Sequence, residues 1–166
     1  VAYYDEWKTS SSSSSSTTSE MTIDFGESAD MCEERAAADW EDEESSQIEC
    51  TTCGSIGSLL GGYQVLGTGS SVSKAFSDLP THSIVTINLD FVQIDSWDNE
   101  RFYVYADNDL VYTSHRISKS TGTQECGSSS NNWNEFVIPA SFTFAHSSSS
   151  LTLKITTNLN SGPSDE

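Results

Sequence analysis

Apolar and polar residues alternate in short runs through most of the second half of the chain. The two clearest runs are residues 84–94 and 101–106, and each places its apolar side chains on one face, as a half-buried β-strand does. Shorter runs of the same kind predict strands at residues 21–25, 63–66, 71–76, 110–112, 136–138, 142–144 and 151–155. Turn residues separate these runs at roughly 8–12-residue intervals, which predicts an all-β fold, an antiparallel β-sandwich of the jelly-roll or immunoglobulin-like kind.

Composition divides the chain into four segments. Residues 1–7 alternate like a strand, and because the chain opens in mid-strand, we expect this strand to complete the sheet of a neighbouring repeat. Residues 8–20 are almost entirely Ser and Thr and are predicted to form a flexible linker. Residues 21–49 form an acidic insert, in which an Asp-x-x-Glu pattern before an Ala run indicates a short helix. The sandwich domain is predicted to occupy residues 50–166.

The formal net charge of −18 over 166 residues excludes two classes of partner. Nucleic acids and anionic membrane surfaces would both repel such a chain. No apolar run approaches the roughly 18 residues that a membrane-spanning helix needs, so we expect no membrane insertion. The charge suits an extracellular or cell-surface protein. Because the chain shows no initiator Met and no signal peptide, we expect it to be a processed or excised piece.

Cysteine usage agrees with an extracellular location. Cys32, Cys50, Cys53 and Cys126 allow three disulfide pairings, of which we favour Cys53–Cys126 with Cys32–Cys50. Zinc is the alternative, because Cys50-Thr-Thr-Cys53 has a ligand-like spacing. No second pair with this spacing follows, and no His lies close to Cys126 in the sequence, so structural disulfides are the better hypothesis.

An acidic turn, residues 94–100, lies between the two clearest strand runs. Its carboxylate and amide side-chain oxygens belong to Asp95, Asp98, Asn99 and Glu100. Carboxylates this close in sequence repel one another, so a cation among them would stabilise the turn. Calcium binds about six to eight oxygens from carboxylates, amides and carbonyls, and we predict a calcium site here in preference to magnesium. The alternative is a solvated acidic loop with Trp97 in the core, since the spacing matches no EF-hand.

A set of short motifs lies along residues 50–166. They are Cys53-Gly54-Ser55, Gly61-Gly62-Tyr63, Leu79-Pro80-Thr81-His82, the acidic turn, Cys126-Gly127 and Thr157-Asn158-Leu159. Together they resemble a repeated domain of very large surface proteins of ciliates and other protists, related to mastigoneme-like and cell-coat fibre proteins. The resemblance implies a structural repeat of a tandem array. It also implies that Asp165 and Glu166 complete the calcium shell, if the last strand ends beside the acidic turn. The acidic insert departs from the family pattern.

The Ser/Thr tract is a natural acceptor for O-linked sugars in an extracellular chain. The candidate glycosylation sites are Ser10, Ser11, Ser12, Ser13, Ser14, Ser15, Ser16, Thr17 and Thr18. A bare linker is the alternative for this tract. N-linked sugar is not expected, because the chain contains no Asn-x-Ser/Thr sequon.

Enzyme signatures are weak, and we expect no enzymatic activity. Ser71-Val72-Ser73-Lys74 matches Ser-x-x-Lys, but it lies on a predicted strand without the companion motifs of that enzyme class. Two functions remain. We favour a structural repeat of an extracellular, glycosylated filament whose partners are neighbouring copies of itself. The alternative is a calcium-dependent, lectin-like carbohydrate-binding module, which acids and aromatic residues at one edge of a sandwich would suit.

Overall fold

The computed structural model of the chain is built almost entirely of β-strands. It describes residues 6–8, 19–25, 40–42, 48–118, 122–129 and 133–162. In these ranges the strands are β1 Glu6–Lys8, β2 Glu20–Phe25, β3 Cys50–Cys53, β4 Gly57–Leu60, β5 Ser71–Phe76, β6 Ile84–Gln93, β7 Asp98–Glu100, β8 Phe102–Ala106, β9 Asp109–Thr113, β10 Ile117–Ser118, β11 Phe136–Ala145 and β12 Leu151–Thr157. A single 3₁₀ turn, Gly54–Ile56, joins β3 to β4. The predicted all-β class is confirmed.

Two four-stranded sheets make up the sandwich. The first sheet has the strand order β1-β2-β6-β11, and the second has the order β5-β12-β8-β9. Two short ribbons, β3–β4 and β7–β10, extend from them. All pairs are antiparallel except β2 with β6, which run parallel. Apolar side chains from both sheets form one core, which is the packing of a β-sandwich.

Strict alternation determines which side chains fill this core. In β6, Val85, Ile87 and Leu89 are buried and the residues between them are half-buried. The sheets meet at Phe91 of β6 and Phe102 of β8, whose rings stack with centroids 4.2 Å apart. Each such side chain contributes about 1.5–3 kcal/mol of transfer free energy on burial, so the alternating strands supply most of the stability.

The sandwich includes residues from the predicted acidic insert. β2 pairs with β6 along its whole length, in the centre of the first sheet. Apolar residues before position 50 that belong to the core are Met21, Ile23, Phe25, Trp40 and Ile48. Residues 20–25 join the sheet although acids surround them. The free energy gained by burying the three large apolar side chains of β2 exceeds the free-energy cost of placing solvated charges beside them. The predicted helix lies outside the described residues.

β1 forms one edge of the first sheet. Within the chain it pairs with β2 in antiparallel register, with Trp7 opposite Ile23. Whether residues 1–7 also complete the sheet of a neighbouring repeat concerns an assembly of several copies, and it stays a prediction. Residues 1–5 and the linker residues 9–18 lie outside the described residues.

Two strand predictions were wrong. Residues 63–66 form a turn, in which Gln64 has a φ of 66°. Residues 136–138 and 142–144, predicted as separate strands, belong to the single strand β11. Pro139 lies inside this strand, and it is tolerated because β11 is an edge strand whose outer side needs no backbone donor.

Ile23→Ala should lower the free energy of unfolding by about 2–4 kcal/mol, because the side chain is 2% exposed and its loss leaves a cavity. Thr22→Ala, at the neighbouring and less buried position, should cost less than about 1 kcal/mol. Chemical denaturation of the two variants measures both values. Equal effects would contradict the place of β2 in the core.

Candidate functional site

The acidic turn leaves β6, forms β7 and continues into β8. β7 pairs with β10, with Glu100 opposite Ile117. Asp95 and Asn99 adopt φ values of 57° and 85°, in the left-handed region that Asp and Asn enter more readily than most residues. In the part of the chain that the structure describes, no three His, Cys, Asp or Glu side chains come together as metal ligands.

Asp95 binds the backbone of residue 128, outside the acidic turn. Its side chain is fully buried, and both carboxylate oxygens accept a hydrogen bond from the Ser128 amide at 2.9 Å. Asp98 and Asn99 are exposed. The turn therefore separates its predicted ligands into a buried group and an exposed group.

Glu100 lies at the other end of the turn and is buried. Its carboxylate accepts hydrogen bonds from the Asp98 amide and from Asn160 Nδ2, the latter at 3.1 Å. Burial, and then hydrogen bonding with the Asp98 side chain, raises the pKa of Glu100 above its ordinary value.

The chain after β12 lies beside the acidic turn. Asn158 Oδ1 accepts a hydrogen bond from the Arg101 amide at 2.6 Å, and the Asn158 amide donates to the Arg101 carbonyl. This is the placement on which the predicted contribution of Asp165 and Glu166 depends. Both residues lie outside the described residues, so their role as ligands stays a prediction.

A loop of residues 125–128, which we call the Cys126 loop, crosses the sandwich end next to Asp95. The predicted disulfide Cys53–Cys126 is confirmed and ties this loop to β3. Cys50 is also disulfide-bonded, and Cys32, its predicted partner, lies outside the described residues. In the chain-entropy description, a disulfide that closes a loop across 73 residues stabilises the fold by about 4 kcal/mol.

Carboxylates hold both flanks of the Cys126 loop. Glu125 accepts hydrogen bonds from the Ser55 amide at 2.7 Å, from the Ser55 hydroxyl at 2.8 Å and from the Thr123 hydroxyl at 3.0 Å. These bonds lower the pKa of Glu125 below its ordinary value. Gly54 makes room for the contact, since a Cβ there would lie 2.1 Å from Glu125 Oε2. Glu135 Oε2 accepts from the amides of Glu125 and Cys126, the latter at 3.0 Å.

A second cluster joins the two sheets at the opposite end of β6. His82 Nδ1 contacts the Pro80 carbonyl at 2.6 Å, and His82 Nε2 contacts His146 Nδ1 at 2.7 Å. His146 Nε2 lies 3.1 Å from Asp107 Oδ2, and Asp107 Oδ1 accepts a hydrogen bond from the Thr152 amide. The two rings are stacked, with centroids 5.0 Å apart.

The contacts from His82 to Pro80 and from His146 to Asp107 each need a ring N–H, because a carbonyl and a carboxylate only accept. The pair therefore links the segment before β6 to the turn after β8.

The remaining predicted features fall outside this geometry. The candidate glycosylation sites, residues 10–18, lie outside the described residues. Within the described ranges the chain forms no helix with the length and apolarity needed to cross a bilayer.

Comparison of the chain with protein-family models, with curated proteins and with solved structures gave no match. The resemblance to protist surface fibre proteins stays a prediction.

Glu125→Gln should make the chain less sensitive to acid. Because the pKa of Glu125 is lowered from about 4.5 in the folded chain, its contribution is complete above that pH and is lost as the pH falls through the lowered value. The melting temperature of wild type should therefore fall more steeply below about pH 4.5 than that of the variant. Ser55→Ala, which removes one donor, should lie between the two. Parallel pH profiles for wild type and Glu125→Gln would contradict the assignment.

Proposed function

We propose that this chain is a structural repeat unit of an extracellular filament or cell-coat fibre, joined to neighbouring copies and stabilised by disulfides and calcium. The observation that carries the proposal is the position of β1. This three-residue strand lies at the edge of the first sheet and is connected to β2 through the Ser/Thr-rich tract. A short edge strand on a long connection can pair with the same position in its own chain or in a neighbour, which is strand exchange.

The opposite edge of the same sheet supports contacts between copies. β11 is ten residues long and contains no charged residue, whereas edge strands that remain unpaired usually carry charges. The exposed large apolar side chains of the described residues are Phe136 of β11, 48% exposed, and Leu110 of the edge strand β9, 53% exposed. A second copy that covered this side would bury both.

Disulfides and net charge fit the same proposal. Disulfides persist in oxidising compartments, which favours an extracellular or cell-surface location. Copies that each carry a formal charge of −18 repel one another at short range, so assembly needs cations to offset that charge. Calcium is the divalent cation that an acidic oxygen surface binds most readily outside cells. O-linked sugars on residues 10–18 would keep the connecting tract extended.

A groove favours the second candidate function, a calcium-dependent carbohydrate-binding module. The groove encloses about 430 Å³ between β9, β10 and β11. Tyr112 and Phe136 supply aromatic surface in it, and Arg116 and Ser118 supply hydrogen-bond donors. Aromatic rings with a few polar groups are typical of sites that bind sugars.

Deletion of residues 1–8 tests the filament proposal. In calcium, wild type should form ordered fibres whose axial repeat matches one chain in electron micrographs, and the deletion variant should sediment as a folded monomer. Replacing Ser10–Ser16 by Gly at constant length is the control and should leave assembly unchanged. Fibres from the deletion variant, or a wild type that stays monomeric, would contradict the proposal. Glycan binding by that monomer, abolished by a chelator, would favour the second candidate.

A further inference from the structure

Two buried carboxylates converge on one point beside Gly127. Asp95 and Glu135 are 0% and 2% exposed, and they approach the Cys126 loop from the acidic turn and from the residue before β11. A Cβ added to Gly127 would lie 2.1 Å from Asp95 Oδ1 and 2.6 Å from Glu135 Oε1. The two oxygens are therefore no farther apart than the sum of these distances, which one ion with oxygen ligands at about 2.4 Å can bridge.

One of these oxygens has no hydrogen-bond partner. Glu135 Oε2 accepts from two loop amides, but Oε1 is buried and unpaired among the described residues. A buried carboxylate oxygen without a donor costs free energy, and a second carboxylate nearby adds repulsion. The loop amides satisfy Oε2 and the Asp95 carboxylate from one side. Among the described residues, no donor reaches Glu135 Oε1, so this oxygen can accept a cation.

We infer that Asp95 and Glu135 form a binding site for one divalent cation, calcium, which bridges Asp95 Oδ1 and Glu135 Oε1 beside Gly127. Its charge would neutralise the two carboxylates and would give Glu135 Oε1 the partner that it lacks. The ligand set differs from the predicted one, because it shares only Asp95 with the acidic turn and adds Glu135. It deepens the calcium part of the proposed function, but it concerns a single chain and does not depend on assembly.

Coordination chemistry favours calcium over magnesium at this position. Calcium accepts irregular sets of carboxylate and carbonyl oxygens at about 2.3–2.6 Å, whereas magnesium requires about 2.0–2.1 Å in an octahedron and retains several waters. Gly127 is part of the site because any side chain at this position would clash with both carboxylates and displace them.

Glu135→Gln and Gly127→Ala test the site, with Asp98→Asn as the matched control. Glu135→Gln keeps the shape and removes the charge, and Gly127→Ala places a methyl group against both carboxylates and forces them to move. Asp98 belongs to the same turn but is exposed. The readouts are calorimetric titration with calcium chloride and the melting temperature of the monomeric chain in calcium and in a chelator.

Wild type and Asp98→Asn should bind calcium and melt at a higher temperature in calcium than in chelator. Glu135→Gln and Gly127→Ala should bind at least about tenfold more weakly and lose most of that shift. In chelator, Glu135→Gln should melt no lower than wild type, because its amide can donate to Asp95, and this outcome shows that the variant folds.

Identical melting of wild type in calcium and chelator, or an unchanged calcium shift in Glu135→Gln, would overturn the inference. Loss of the shift in Asp98→Asn alone would also overturn it. These readouts are separate from fibre formation, so the site and the filament proposal can fail independently.

Discussion

Buried carboxylates that accept hydrogen bonds from backbone amides hold the functional end of this sandwich in place. The Cys126 loop has no regular secondary structure, and its buried amides still need acceptors. Glu135 accepts from the amides of Glu125 and Cys126, and Asp95 accepts from the amide of Ser128. Because Asp95 belongs to the acidic turn, the same hydrogen bonds connect that turn to the loop. The position of the turn, the disulfide and the inferred cation all depend on this arrangement.

Period-two alternation explains how much of the fold the sequence predicts. β6, β8 and the β8–β9 turn are correct because each strand has one buried face and one more polar face, the pattern that alternation detects. β11 was divided in two because Pro139 reads as a break, although an edge strand tolerates it. The parallel pairing of β2 with β6 leaves no local signal, since the partners lie more than 60 residues apart and the intervening segment is acidic.

In the candidate site, too, the sequence indicates residues that cluster locally and misses residues whose partners are distant in the chain. The local cluster of acids directed attention to Asp95 and Glu100, and both side chains are buried in the structure, while their role as metal ligands stays a prediction. It did not indicate that Asp95 binds the Ser128 amide, because that partner lies 33 residues away in the sequence. Glu135 and the His82–His146 pair were missed for a different reason. Their partners are distant in sequence, and only the packing of the two sheets brings them together.

The disulfide and the inferred cation would act on the same few residues, so their effects on stability would be linked. The Cys53–Cys126 bond restricts the Cys126 loop in the unfolded chain and keeps its amides near Glu135 and Asp95 in the folded chain. A cation between those carboxylates would favour the same loop conformation, and each constraint would lower the entropy cost of the other. A chain with 25 acidic and 7 basic side chains has few opposite charges to use for this purpose. Covalent and ionic cross-links are then the available means of fixing a loop that the sheets themselves do not hold.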